Sequence, residues 1–469
     1  MIEKDKLKNV INKLLYVSPN WLKESFGNLY LYNYLPISLG LIKCRNFYQF
    51  LKQAQWWPKW KLEQYQLGKL KEILRYAYDN VPYYSEVLKK IHFIPEDIES
   101  IRELRKLPIL TKKDIVNNFD KLISRKANKK HLNLLKTSGS TGESTQFYRD
   151  DCYEFVEYGF MLRLLNLINI KISDKYIYLW TAPFIEKRIN DTYLFEPCLK
   201  RLLLSTEPHS LNEHIKLIRQ FRPVYAKGNP SFLYHLACYT QENNINDINF
   251  RCFLSCFENL FPYQRELIEQ QFKCEAYNYY GSLERIISAC ECSKHEGMHV
   301  NMEKGVLEIV DNNGELLPEG CLGKMITTGF YNFAFPFIRY DIGDVGSISK
   351  IPCSCGRGLQ LLKSLDGRTN EVIKYKDKHI SSTALSVFLR KFKNIKQCQF
   401  IQQEENKIMV NIVRGKEYSE HDSQELVKAM QEMTDEQLNI CISFVEHIPR
   451  TKMGKFNFII SKLKIVEQT

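Results

Sequence analysis

Residues 136–145 read KTSGSTGEST, and all of them except Lys136 and Glu143 are glycine, serine or threonine. Such a composition is typical either of a flexible linker or of a loop whose backbone wraps an anion. The two glycines permit backbone conformations that other residues avoid, and the hydroxyl groups between them add hydrogen-bond donors. The stretch does not match the P-loop pattern G-x-x-x-x-G-K-[ST]. The rest of the chain has to decide between the two interpretations.

The chain has 469 residues, of which 44% are hydrophobic and 26% are charged, so it can bury the cores of two or three domains. Lysine and arginine total 66 against 54 acidic residues, which gives a net charge of +12. The basic residues are spread along the chain and do not form one block. We therefore expect a surface that attracts small anionic ligands, and no nucleic-acid partner.

No hydrophobic stretch approaches the roughly 18 to 20 residues that a membrane span needs. Residues 1–17 alternate charged and apolar side chains at helical spacing, unlike the uninterrupted apolar segment of a secretory signal. The fourteen cysteines are scattered. We therefore expect a cytoplasmic protein with no transmembrane segment and mostly reduced thiols.

The pattern of apolar residues changes along the first 350 positions. Residues 1–135 place apolar side chains at three- and four-residue spacing and read as helical. Between 136 and 350, short apolar runs alternate with helical patterns, which is typical of an α/β domain. Within this part, residues 305–350 read as strands around the turn NNGE at 312–315, so they predict a β-rich lobe.

A smaller unit follows LDGRTNEV at 365–372, where two helical patterns alternate with three strand patterns. We predict an α/β protein with a large N-terminal domain over 1–369. This domain would contain an α-rich start, an α/β core and the β-rich lobe. A small α+β domain over 370–469 would complete the chain.

Four further segments follow the loop at 136–145 in a fixed order: YYGSLE (279–284), FIRYDIGDVG (337–346), GRTNEVI (367–373) and PRTKMGKF (449–456). Together the five segments resemble the signatures of the adenylate-forming superfamily, the acyl-CoA synthetase-like ligases. Three more segments resemble the phenylacetate-CoA ligase branch, including its capsule-biosynthesis relatives: LRYAYDNVPYYSEVL (74–88), LPILTKKDI (107–115) and KGNPSFLYHLA (227–237). This resemblance favours a phosphate-binding loop over a linker at 136–145.

The resemblance implies a two-step reaction. A carboxylate attacks the α-phosphate of ATP and releases pyrophosphate, and the acyl-adenylate then passes its acyl group to CoA or another acceptor. ATP carries about four negative charges, so Mg²⁺, backbone donors and a cation are expected around the reacting phosphorus. The implied ligands are ATP, Mg²⁺, a small carboxylic acid and CoA. The oligomeric state stays open, with a dimer among the alternatives.

The resemblance also implies which residues contact the nucleotide. Tyr280, Gly281 and Ser282 match the segment at the adenine, and Asp344 matches the carboxylate that accepts hydrogen bonds from the ribose hydroxyls. Asp341 is the alternative acceptor. The residues that match the pyrophosphate-binding loop are Thr137, Ser138, Gly139, Ser140, Thr141 and Gly142.

Three residues match the catalytic groups of the family. Glu284 matches the carboxylate that helps to hold Mg²⁺, and Arg368 matches an arginine that contacts the ribose or phosphate. Lys455 matches the lysine that reaches the α-phosphate and the carboxylate, with Lys452 as the alternative. Asn370 is at the hinge position, about which the small domain is expected to rotate between the half-reactions.

Three positions depart from the family pattern. Ser144 stands where a proline is usual, Leu283 where serine or threonine is usual, and Asn370 where aspartate or lysine is usual. They leave two further interpretations open. The acyl group could pass to an amine, a hydroxyl or a carrier protein in polysaccharide or specialised biosynthesis. Alternatively, the protein could be a nucleotide-binding regulator that has lost catalysis, although it retains Glu284 and Lys455.

The acyl pocket is expected to draw its walls from the α/β domain. The candidates that the order of the motifs suggests are Trp180, Phe184, Gly228, Asn229, Pro230 and Phe257. If the aromatic stretch at 178–184 lines the pocket, an apolar acid fits better than a highly charged one.

A separate pattern of cysteine and histidine occupies ACECSKHEGMHV (289–300) and IPCSCGRG (351–358). Thiolate and imidazole groups at these spacings suit a tetrahedral Zn²⁺ with a structural role, because four protein ligands leave no open position. Free thiols are the alternative. The favoured ligands are Cys292, His299, Cys353 and Cys355, with Cys290 and His295 as replacements.

Overall fold

The computed structural model of the chain describes most positions from 39 onward. The described residues are 39–128, 130, 132–137, 145–150, 153–179, 193–196, 200–205, 211–368, 372–376, 378–392, 394–434, 438–451, 456–461 and 463. Several predicted site residues lie outside these ranges, and nothing structural is concluded about them. They are Ser138 to Gly142, Trp180, Phe184, Asn370 and Lys455.

The α-helices of the described residues are α1 (Leu39–Ala54), α2 (Lys59–Asn80), α3 (Pro82–Lys90), α4 (Lys112–Asn117), α5 (Tyr153–Leu167), α6 (Leu211–Phe221), α7 (Pro230–Glu242), α8 (Pro262–Phe272), α9 (Ser382–Leu389) and α10 (Glu420–Met433). None of these helices is both long enough and apolar enough to cross a bilayer.

The strands of the described residues are β1 (Leu132–Lys136), β2 (Gln146–Asp150), β3 (Tyr176–Leu179), β4 (Tyr193–Glu196), β5 (Arg201–Leu204), β6 (Tyr225–Gly228), β7 (Cys252–Ser255), β8 (Glu275–Gly281), β9 (Ser288–Glu291), β10 (Met298–Val300), β11 (Gly305–Val310), β12 (Gly323–Gly329), β13 (Tyr340–Ile348), β14 (Leu361–Arg368), β15 (Val372–Tyr375), β16 (Lys378–Ser381), β17 (Ile395–Glu404), β18 (Lys407–Arg414), β19 (Asn439–Phe444) and β20 (Ile459–Ser461).

The first helices form where the sequence provides both an apolar face and an end signal. Helix α2 buries Leu70, Leu74 and Ala77, which recur at three- and four-residue spacing. Pro82 begins α3 at its first turn, where the missing N–H costs no hydrogen bond. The helical prediction for 1–135 is wrong at its end, because 132–136 form strand β1. This strand pairs with β2 to make a hairpin around the loop at 136–145.

One large sheet organises the α/β core and the β-rich lobe. Its strand order is β11-β12-β13-β14-β10-β9-β8-β7-β6-β3-β5-β4. Strands β5, β3, β6, β7 and β8 run parallel to one another, whereas β9 to β14 are joined by antiparallel pairs. The sheet confirms the α/β fold class and explains the hairpin pattern of 305–350.

Strand β8 belongs to both halves of this sheet. Its residues Glu275–Asn278 pair in parallel with β7, and Tyr279–Gly281 pair antiparallel with β9. Ligands of open α/β sheets commonly bind beyond the carboxyl ends of the parallel strands. The segment YYGSLE therefore begins where the pairing changes, at the carboxyl edge of the parallel half.

The C-terminal part of the chain forms a second sheet with the order β19-β18-β17-β20, and helices α9 and α10 also belong to this part. Its core contains Phe400, Ile412 and Leu426. It also includes Phe261, the residue that precedes helix α8 in the N-terminal part of the chain. The rings of Phe261 and Phe458 lie 4.9 Å apart. The predicted boundary at 370 remains a prediction, because residues 369–371 lie outside the described ranges.

We expect Gly228→Ala to destabilise the protein. Gly228 has φ +139°, and a Cβ atom there would lie 2.2 Å from the carbonyl oxygen of Leu179 on the neighbouring strand. The substitution should cost about 2 kcal/mol or more and lower the midpoint of thermal unfolding. Gly68→Ala is the control, because a Cβ at Gly68 in α2 meets nothing within 4 Å. This exposed helical change should stabilise by about 0.5–1 kcal/mol, and equal midpoints for the two variants would contradict the prediction.

Candidate active site and metal centre

The predicted nucleotide residues converge at the end of β8. The hydroxyl of Tyr280 donates to Oδ2 of Asp344 at 2.7 Å. Asp344 in β13 lies opposite Arg368 in β14. Glu284 is 8% exposed, and the hydroxyl of Tyr340 lies 3.4 Å from its Oε1 and donates to it. Three motifs that are far apart in sequence thus come together at one edge of the sheet.

Asp341, the alternative ribose acceptor, has a local partner. Its Oδ1 accepts the N–H of Gly343 at 2.8 Å, so the carboxylate stabilises the turn within β13. Asp344 instead faces Tyr280 across the strands. This difference favours Asp344 as the carboxylate that reaches a ligand.

The base of the predicted phosphate loop is a closed hairpin. The N–H of Thr137 donates to the carbonyl of Thr145, and the N–H of Thr145 donates to Oγ1 of Thr137, both at 2.9 Å. Within the part of the chain that the structure describes, the buried hydroxyls of Thr145 and Ser282 have no hydrogen-bond partner. Buried hydroxyls without partners are uncommon and suit a polar ligand. Both flank the predicted nucleotide site.

Arg149 is a residue of this site that the motifs did not identify. It extends from β2, and its Nη1 donates to the carbonyl of Leu283 at 3.2 Å. The hydroxyl of Tyr153 donates to the carbonyl of Arg285 at 2.5 Å. Arg149 therefore ties the hairpin that carries the loop to the segment after β8, and Tyr153 ties the start of α5 to the same segment. Neither residue belongs to a recognisable sequence pattern.

The described acyl-pocket candidates lie beyond adjacent parallel strands. Gly228 ends β6 and pairs with Ser255, the last residue of β7. Asn229 is fully buried before helix α7, and Pro230 is the first residue of that helix. Phe257 is 41% exposed and has φ +75°. Gly228, Asn229, Pro230 and Phe257 thus lie at the same edge as the nucleotide residues.

The four favoured metal ligands come together beside β10 and the loop that precedes β14. Their ligand atoms all lie within 4.8 Å of one another: Cys292, His299, Cys353 and Cys355. The Nε2 of His299 is 3.4 Å from the Sγ atoms of both Cys292 and Cys355. The Sγ atoms of Cys292 and Cys353 are 3.7 Å apart, well beyond a disulfide bond of about 2.05 Å. Burial lowers the pKa of His299 to about 4, so its imidazole is neutral at pH 7.

The two replacement ligands have other surroundings. Cys290 lies in an apolar cluster, and burial raises the pKa of its thiol well above the ordinary value. The Nδ1 of His295 lies 3.2 Å from Glu291 and 3.1 Å from Arg265. Neither residue belongs to the cluster of four. The antiparallel pairing of β10 with β14 brings the two cysteine segments together, because His299 lies opposite Leu361.

Comparison with known proteins extends these observations to most of the chain. The CapK C-terminal domain family matches residues 372–462. CapK of Staphylococcus aureus is 26% identical over 422 residues, which cover 86% of this chain and 90% of CapK. The phenylacetate-coenzyme A ligase of Pseudomonas putida is 25% identical over 349 residues, covering 72% and 77% of the two chains.

A solved structure of 2-hydroxyisobutyryl-CoA ligase has the same fold. In its postadenylation state it superposes with a TM-score of 0.73 at 16% identity, covering 88% of this chain and 92% of the ligase. In its thioesterification state the TM-score is 0.59 over 87% of this chain and 91% of the ligase. At this identity the likeness shows the fold, and the family follows from the curated relatives. The chain belongs to the adenylate-forming superfamily, in the branch that holds the phenylacetate-CoA ligases and CapK.

Proposed function

We propose that the protein activates a small carboxylic acid with ATP, releases pyrophosphate, and transfers the acyl group from the acyl-adenylate to CoA. The observation that carries this proposal is the convergence of Tyr280, Glu284 and Asp344 at the end of β8. The relatives named as CoA ligases support acid–thiol ligation as the type of reaction.

Each residue has a chemical role in this proposal. The carboxylate of Asp344 accepts hydrogen bonds from the ribose hydroxyls. These would replace the hydrogen bond that it accepts from the Tyr280 hydroxyl in the structure. The hydroxyls of Thr145 and Ser282 have unused hydrogen-bonding capacity for phosphate oxygens. Glu284 provides the oxygen ligand that Mg²⁺ prefers, and bound Mg²⁺ would offset phosphate charge.

Lys455 is proposed to neutralise charge on the α-phosphate and the carboxylate during adenylation. The higher TM-score against the postadenylation state than against the thioesterification state supports an adenylation-type orientation of the small domain. The two superpositions cover similar shares of this chain, so the number of residues covered does not explain the difference between the TM-scores.

A second proposal keeps adenylation but changes the acceptor to an amine, a hydroxyl or a carrier protein. CapK matches 86% of this chain, whereas the phenylacetate-coenzyme A ligase of Pseudomonas putida matches 72%. The CapK C-terminal domain family also covers residues 372–462. In the proposed mechanism the small domain takes part in the second half-reaction, in which the acyl group passes to its acceptor. The match of this domain to CapK is therefore relevant to which acyl acceptor the protein uses.

We expect Lys455→Ala to abolish adenylation selectively. Pyrophosphate release is measured with Mg²⁺ and ATP across phenylacetate and a panel of aryl, fatty, amino and sugar acids. The variant should slow release by about 100-fold or more, yet spare acyl transfer from a supplied adenylate. Lys452→Ala removes a neighbouring charge of the same kind and is the control. Equal losses in both half-reactions would contradict the assigned role.

The same assay, run with and without CoA, identifies the acyl acceptor. Release that accelerates with CoA and yields a thioester supports the first proposal. Acid-dependent pyrophosphate release at a rate that CoA does not change supports the second proposal. Tight ATP binding with no release across the panel would contradict both proposals and favour a nucleotide-binding regulator. The departures at Ser144, Leu283 and Asn370 support that alternative.

We also propose that Cys292, His299, Cys353 and Cys355 hold a structural Zn²⁺. A Zn–S bond of about 2.3 Å in a tetrahedron requires sulfur atoms about 3.8 Å apart, close to the 3.7 Å between Cys292 and Cys353. Both would bind as thiolates, and burial keeps His299 neutral, as a zinc ligand must be. The ion would tie β10 to the loop that leads into β14.

The zinc proposal predicts about one zinc per chain in protein purified without chelator. Cys353→Ser should lose the metal and lower the thermal midpoint. Cys321→Ser is the control, because Cys321 is an exposed free thiol outside the cluster. Less than about a tenth of an equivalent of zinc in the unmodified protein would refute the proposal.

A further inference from the structure

Glu258 occupies a strained turn directly after the parallel sheet. Strand β7 ends at Ser255, and Phe257 then adopts φ +75°, a left-handed conformation that is unfavourable for a bulky side chain. Such strain persists only where surrounding contacts fix the backbone. The next residue, Glu258, has a side chain that is only 9% exposed. A buried carboxylate needs donors or a charged partner.

The large domain supplies two of these donors at the start of helix α7. The Nδ2 of Asn229 donates to Oε1 of Glu258 at 3.1 Å, and the backbone N–H of Ser231 donates to Oε2 at 3.4 Å. The Asn229 side chain makes no capping hydrogen bond of its own. Glu258 therefore serves as the N-terminal cap of α7, where a negative charge is favourable.

The small domain supplies the remaining partners. The backbone N–H of Phe456 donates to Oε1 of Glu258 at 2.7 Å, and Nη1 of Arg450 lies 3.6 Å from the same oxygen. Arg450 also donates to the hydroxyl of Ser231 at 2.9 Å. One carboxylate thus contacts the residues on both sides of 451–455, the sequence that contains Lys455.

Other ion pairs between the same parts of the chain are more exposed. Lys396 in the small domain pairs with Glu242 at 2.8 Å, and these side chains are 23% and 29% exposed. Glu242 is the last residue of α7, at the opposite end of the helix from Glu258. The pair holds the same two domains together, and neither side chain is hydrogen-bonded to the described residues 450–451 or 456–461. It therefore provides a matched comparison.

We propose that Glu258 is a positioning residue for adenylation. Its carboxylate clamps residues 450 and 456 onto the start of α7, and this clamp restrains the described residues on both sides of the sequence that contains Lys455. The contacts of the carboxylate with Asn229 and Ser231 do not depend on the small domain. When that domain rotates, the carboxylate therefore stays in place and can accept the N–H of Phe456 again in the next cycle. The inference deepens the proposed function and rests on it.

The first test needs no substrate. Amide hydrogen exchange of a peptide containing Phe456 is compared in the intact protein, Glu258→Ala and Glu242→Ala. Glu258→Ala removes the carboxylate that accepts the Phe456 N–H, so exchange of this segment should rise about tenfold. Exchange should be unchanged in Glu242→Ala. Unchanged exchange in Glu258→Ala would overturn the clamp, whatever reaction the protein catalyses.

The second test measures both half-reactions with phenylacetate, or with the acid that is active in the panel. Glu258→Ala should lower kcat for pyrophosphate release at least about tenfold, keep the KM for ATP within about twofold, and spare transfer from the supplied acyl-adenylate. Glu242→Ala should retain the unmodified rates. Equal loss in both half-reactions would overturn the positioning role.

Two further variants separate positioning from misfolding. Glu258→Gln keeps a neutral acceptor and should recover part of the lost rate with an unchanged thermal midpoint. The double variant Glu258→Ala/Arg450→Ala should be about as slow as Glu258→Ala alone, because both changes break one clamp. Additive losses would contradict a shared clamp. Absence of pyrophosphate release from the intact protein across all acids would overturn the proposed function and the positioning role, while exchange would still decide whether Glu258 holds the segment.

Discussion

The change of pairing within strand β8 is the constraint on which the site depends. Residues Glu275–Asn278 complete a parallel sheet whose carboxyl ends open toward one edge, and Tyr279–Gly281 start the antiparallel half. The residues predicted to bind the nucleotide come from the antiparallel half, in which Asp344 lies on β13. The described pocket candidates follow β6 and β7. The two sets of predicted residues therefore meet at this junction.

Buried ion pairs hold the elements around the junction. Arg163 in α5 makes two hydrogen bonds to the carboxylate of Glu303, at 2.6 and 3.0 Å, and both side chains are buried. Lys304 pairs with Glu157 of the same helix at 2.6 Å. Burial lowers the pKa of Lys304, and Glu157 favours its charged form. Breaking such a pair leaves an uncompensated buried charge, so these contacts fix α5 against the turn before β11.

The start of helix α7 connects the pocket candidates with the small domain. Asn229 and Pro230 belong to this start, and Glu258 contacts it from the end of β7. The same carboxylate contacts residues 450 and 456 of the small domain. The acyl side of the proposed site and the segment with the proposed catalytic lysine therefore share one anchoring residue. This arrangement gives the proposed domain rotation a defined contact to break and remake.

The sequence by itself determined the local elements and the family motifs. The apolar spacing within 1–135 predicted helices such as α2, and the NNGE turn predicted the strands around it, because these signals depend on neighbouring residues. The sequence also provided Tyr280, Glu284 and Asp344 as candidates. The tertiary structure alone decided that Tyr280 donates a hydrogen bond to Asp344 and that Glu258 accepts one from the backbone N–H of Phe456. Those contacts depend on strand order and register, which bring together residues that no local pattern links.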